Sequence, residues 1–92
     1  MSDDNALEQI QRHREQIDAI DKDLVALLNK RVSHSLVIRG LKPDAGMGLY
    51  DARREEEIFD KVTALNEGPL FNDYLREIYA TILKVSKETP SV

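Results

Sequence analysis

Eleven positions spaced alternately by three and four residues run without a break from Leu7 through Ile10, Arg14, Ile17, Asp21, Leu24, Leu28, Arg31, Ser35 and Ile38 to Lys42. This is the period of a helix with one seam turned inward, and it predicts a first helix over about residues 6–42. At 1.5 Å per residue such a helix is a rod of roughly 55 Å. A compact chain of this size has a radius of gyration of only about 12 Å. The rest of a 92-residue chain is too short to cover the rod, so a second copy related by a two-fold axis is the economical cover. The fold expected is all-α: one long and two shorter helices in an intertwined homodimer.

Pro43 blocks continuation of the first helix, and Pro43-Asp44-Ala45-Gly46-Met47-Gly48 opens a loop over 43–50. Asp51 then offers an N-cap for a second helix over about 51–66, with the apolar stripe Ile58, Phe59, Val62 and Leu65. Asn66-Glu67-Gly68-Pro69 ends it. A third helix over about 72–88 carries Leu75, Ile78, Tyr79, Ile82 and Leu83, with Ser86 next on the same stripe, and Pro90 closes it. The pattern holds no strand and no repeat, and residues 1–92 read as one domain.

Composition removes several function classes. The chain has no cysteine, hence no disulfide scaffold, thiolate nucleophile or thiolate zinc site. Its two histidines, His13 and His34, lie off the seam without metal-ligand spacing. A net charge of -4 with the cations scattered among acids argues against nucleic acid as a partner. Charges interrupt every apolar run before a bilayer could be spanned, and the acidic opening Met1-Ser2-Asp3-Asp4-Asn5 is unlike a signal peptide. The expectation is a cytoplasmic protein that binds neither nucleic acid nor membrane. Nothing resembles a Ser-His-Asp set, a phosphate-binding loop or a dinucleotide-binding glycine pattern.

The seam itself carries polar side chains where packing asks for apolar ones: Arg14, Asp21, Arg31, Ser35 and Lys42. A buried cation without a partner costs several kcal/mol, so each must meet a carboxylate, a ligand or water. Arg14 and Arg31 stand about 25 Å apart along the axis, too far for one helix to close both on one small dianion. If two copies of the helix cross antiparallel near residues 21–24, Arg14 of one chain approaches Arg31 of the other, and two equivalent cationic pockets form. At the start of the second helix Asp51, Arg54 and Glu55 share a face at i, i+3 and i+4. Pairing of the cations with acids such as Asp21 or Glu55, and a solvated surface for Arg54 and Glu55, are the plainer readings of the same spacing.

The stretches Arg14-Glu15-Gln16-Ile17-Asp18-Ala19-Ile20-Asp21, Leu27-Leu28-Asn29-Lys30-Arg31, Lys42, Asp51-Ala52-Arg53-Arg54-Glu55 and Asn66-Glu67-Gly68-Pro69-Leu70 resemble the all-helical chorismate mutase family over nearly the whole chain. The resemblance implies rearrangement of chorismate to prephenate, in phenylalanine and tyrosine biosynthesis, with no metal or other cofactor. It implies Arg31 and Arg54 on the substrate carboxylates, Arg14 reaching into the partner's pocket, and Lys42 on the ether oxygen and a carboxylate. Glu55 and Asp51 would hold the ring hydroxyl, and Ser86 a carboxylate. Lys42, Arg31 and Glu55 are the residues it places in catalysis.

The family commonly has Gln or Glu four residues after the serine of the third helix, where this chain has Pro90, and the expectation is reduced activity of the isolated chain. Thr89-Pro90-Ser91-Val92 reads as a linker, in keeping with the family's frequent fusion to prephenate dehydratase or another shikimate-pathway domain. Two alternatives share these features: an isochorismate-pyruvate lyase of the same fold, and a weakly active helical dimerisation or regulatory domain of a fused enzyme.

Overall fold

The computed structural model describes residues 3–48 and 51–91 of the chain, in three helices: α1 (Asp3–Leu41), α2 (Ala52–Leu65) and α3 (Asn72–Glu88). Leu49 and Tyr50, the end of the loop expected over 43–50, lie outside the described residues. The chain divides into two compact units, Met1–Ser33 and His34–Val92, with the boundary inside α1.

Among the described residues the first unit is helix alone. From Asn5 to Leu27 every residue is exposed, the seam positions Leu7, Ile10, Ile17 and Leu24 included. Only at Leu28, Arg31 and Val32 does the face become half-buried. The long helix begins at Asp3, three residues before the expected start at about residue 6, because the residues ahead of Leu7 include neither proline nor glycine to stop it.

In the second unit the covered face of α1 continues through Ser35, Leu36, Arg39 and Lys42, while Ile38, expected on the seam, is 54% exposed. A strict 3-4 alternation repeats every 3.5 residues, whereas a straight α-helix turns in 3.6 and drifts by about 20° per heptad. Two heptads move the covered face onto Arg39 and off Ile38. The helix ends at Leu41, one residue before the expected Lys42, since a proline disfavours helical backbone at the residue preceding it. Lys42 nonetheless donates its N–H to Ile38 O at 2.9 Å, and its carbonyl accepts from Ala45 at 3.1 Å and Met47 at 2.8 Å. Gly46, with φ 71°, supplies the left-handed step of this turn.

Asp51 caps α2 as its position suggested: Oδ1 accepts from the Arg54 N–H at 3.0 Å. The stripe of α2 includes Ile58, Phe59 and Val62, but Leu65 is 78% exposed; it lies at the margin of the arc whose middle is taken by Glu55 and Asn66. Asn66 organises the turn into α3, donating through Nδ2 to Leu70 O at 2.7 Å and Asn72 Oδ1 at 2.8 Å while its Oδ1 accepts from the Gly68 N–H. The Arg76 guanidinium lies over the Phe59 ring, joining α3 to α2. Along α3, Leu75, Tyr79 and Ile82 are half-buried and Leu83 and Ser86 buried, while Ile78, expected on the same stripe, stays exposed beside Tyr74 and Val85. Leu83 is the one buried apolar residue among those described.

Candidate active site

Five of the seven residues expected to bind substrate belong to the second unit: Lys42 just past α1, Asp51, Arg54 and Glu55 at the head of α2, and Ser86 in the last turn of α3. Arg14 and Arg31 belong to the first unit, Arg14 exposed and Arg31 half-buried.

Arg54, joined to Asp51 through the cap, is exposed, whereas Asp51 and Glu55 are half-buried. The Arg54 side chain is 53% exposed, with Nη1 3.4 Å from Glu57 Oε2 on the outer side of α2. Glu55 is only 24% exposed and turns toward α3, where Lys87 Nζ lies 3.4 and 3.3 Å from its two carboxylate oxygens. Both partners keep some contact with water, so the pair adds at most about 1 kcal/mol of stability; its effect is to hold Glu55 in one direction. Lys87 was not anticipated, since nothing local signals a partner 32 residues away.

Ser86 is buried at 5% exposure, and its hydroxyl donates to Ile82 O at 2.7 Å. A serine has one proton to give, so donation to a ligand requires the hydroxyl to rotate off the helix. The carbonyl of Ser86 is also engaged: Arg39 Nη2 donates to it at 2.6 Å and to Lys87 O at 3.1 Å, while Nη1 donates to Thr89 O at 2.8 Å. Arg39 thus ties the end of α1 to the end of α3, as the Lys87–Glu55 pair ties the end of α3 to the head of α2. The signal for Arg39 was present in the helical period: at about 100° per residue it lies about 20° from Leu28, at the centre of the covered face.

Of the expected residues, the contacts join Asp51 to Arg54 through the cap and bring Glu55, through Lys87, to the end of α3 that holds Ser86 and is tied by Arg39. Among the described residues no group of three or more His, Cys, Asp or Glu is placed to hold a metal ion, and no helix is long and apolar enough to cross a membrane.

The family model described as chorismate mutase type II matches residues 13–90. A bifunctional chorismate mutase/prephenate dehydratase of Aquifex aeolicus (strain VF5) is 33% identical over 81 residues, covering 84% of this chain and 22% of that protein. The protein of the same name from Neisseria gonorrhoeae (strain ATCC 700825 / FA 1090) is 33% identical over 72 residues, covering 77% of this chain and 19% of its own length. The chain therefore spans about a fifth of these relatives. Among solved structures, chorismate mutase form II from Thermus thermophilus superposes with a TM-score of 0.84 at 30% identity, covering 91% of this chain and 99% of that one. Form I of the same protein gives 0.81 at 32% identity, covering 85% and 98%.

Proposed function

The chain belongs to the chorismate mutase type II family, and from that membership we propose that it rearranges chorismate to prephenate in an intertwined homodimer whose two pockets are each built by both chains. The observation that carries the reading is the polar character of covered surface in the second unit. Ser86 is buried, and Glu55 and Lys42 are half-buried, on covered faces where a purely structural helical assembly would more often place apolar side chains. The near-complete coverage of the Thermus thermophilus enzyme supports it.

The reaction is a Claisen rearrangement. The ether C–O bond breaks as a C–C bond forms, and no proton, nucleophile or electron carrier is required. A protein accelerates it by holding the folded substrate conformer and by stabilising negative charge on the ether oxygen as that bond stretches. In this reading Arg31, Arg54 and the partner chain's copy of Arg14 hold the two carboxylates, with Ser86 assisting after its hydroxyl rotates. Lys42 donates to the ether oxygen, a contact that strengthens in the transition state. Glu55, held by Lys87, and Asp51 accept from the ring hydroxyl.

The dimer is supported by the exposure of Leu7, Ile10, Ile17 and Leu24 along one stripe of α1, of Ile78 and Val85 on α3, and by a described core that buries Leu83 alone among apolar residues. A domain this small gains stability by burying such faces against another chain. Fusion to a prephenate dehydratase domain, as the names of the relatives suggest, and a cytoplasmic setting belong to the same proposal.

The test is the loss of chorismate absorbance on adding purified protein, with prephenate identified by acid conversion to phenylpyruvate and Arg31→Ala run alongside. Turnover abolished by the substitution supports the reading. No turnover by the unaltered chain overturns it, and pyruvate released from isochorismate instead would assign the chain to lyase chemistry.

A further inference from the structure

We infer that Arg39 is a positioning residue for the reaction proposed above, on which this inference rests: its guanidinium replaces the backbone donor that Pro90 removes from the end of α3, and so fixes Ser86 and Lys87 relative to Lys42. In a continuing helix the carbonyl of Ser86 accepts from the N–H of residue 90. Residue 90 is a proline and has none. Helix ends leave four carbonyls without intrahelical partners, and here the Val85 carbonyl is taken by the N–H and the hydroxyl of Thr89, both on the chain itself. The Ser86, Lys87 and Thr89 carbonyls instead receive Nη1 and Nη2 of a single side chain 47 to 50 residues away.

The planar guanidinium suits this place because its donors leave in fixed directions and its charge meets the negative end of the α3 dipole. Arg39 also sits in the last turn of α1, three residues before Lys42 and on the same face. Two groups assigned to the substrate are therefore held by this one contact, Ser86 through its own carbonyl and Glu55 through Lys87, whose carbonyl Arg39 also holds and whose ammonium meets Glu55, and the contact keeps both at the end of α1 that Lys42 follows. Arg39 itself directs its donors to backbone and need not touch substrate.

The experiment compares the intact chain with Arg39→Ala, Arg39→Lys and Pro90→Ala, and with the double variant Arg39→Ala/Pro90→Ala, reading kcat and KM separately and amide exchange along α3. Arg39→Ala is expected to lower kcat/KM by about 10- to 100-fold, mostly in kcat, and to speed exchange of the Thr89 N–H and its neighbours while the middle of α3 exchanges as before. Arg39→Lys recovers part of the loss. In the Pro90→Ala background, which restores an N–H to residue 90 without adding a side-chain donor, the cost of Arg39→Ala shrinks. Additive effects of the two substitutions, or an Arg39→Ala protein with unchanged kcat, KM and end-of-helix exchange, overturn the inference. Should the unaltered chain fail to turn over chorismate, the functional reading falls, and the exchange data decide the role of Arg39 by themselves.

Discussion

Mixing two inactive variants provides the sharpest test of a pocket shared between chains. Arg14 and Arg31 lie on one continuous helix, about 25 Å apart along its axis, so a single α1 does not bring both to one substrate. Each homodimer of Arg14→Ala lacks the incoming arginine in both pockets, and each homodimer of Arg31→Ala lacks the resident one. Loss of one preorganised donor of this kind costs about 10²- to 10³-fold in kcat. In the mixed dimer one pocket combines the Arg14 of one chain with the Arg31 of the other and is whole, while the second pocket lacks both. Random exchange makes about half of the dimers mixed, each with one working pocket, so the mixture recovers about a quarter of the unaltered activity. The variants are unfolded together, refolded and assayed by chorismate absorbance, with hybrid content measured by native mass spectrometry on chains of different tag mass. A mixture containing hybrids yet no more active than its parents refutes the shared pocket.

Leu24→Asp places a charge on a side chain that is 49% exposed in one chain; the expected result is loss of the dimer in sedimentation and of helical circular dichroism, where an isolated chain would scarcely notice it. Asn66→Ala removes three hydrogen bonds from the turn between α2 and α3 and is expected to lower unfolding free energy by about 1–3 kcal/mol, read by urea titration, with KM little changed. Pro90→Gln restores both a backbone donor and a side-chain amide beyond Ser86 and is expected to raise kcat, and a kcat equal to or below that of the unaltered chain counts against a role for position 90.

The helices were legible because their signals are local. A 3-4 alternation gave α1, Asp51 announced the start of α2 by the chemistry of a cap, and proline marked the ends. Elsewhere the covered face depends on geometry beyond the repeat. Ile38 and Arg39 exchanged roles because a 3.5-residue seam and a 3.6-residue helix part company after two heptads, and Leu65 and Ile78 were assigned to covered stripes whose margins only packing defines. In the site, the polar interruptions at Arg31, Lys42 and Ser86 were visible as residues out of place on an inward face. The contacts of Arg39 and Lys87 were not, because their partners are backbone carbonyls in one case and a carboxylate on another helix in the other, and a carbonyl has no signature in a sequence.

The bare apolar stripe of α1 has a thermodynamic consequence. In the proposed dimer, folding and association are a single bimolecular equilibrium, and stability carries a concentration in its definition. Each tenfold dilution removes about 1.4 kcal/mol from the assembled state, so the melting temperature is set by abundance as well as by sequence. A substitution tolerated in an overexpressed preparation can then be fatal at the few copies a cell supplies.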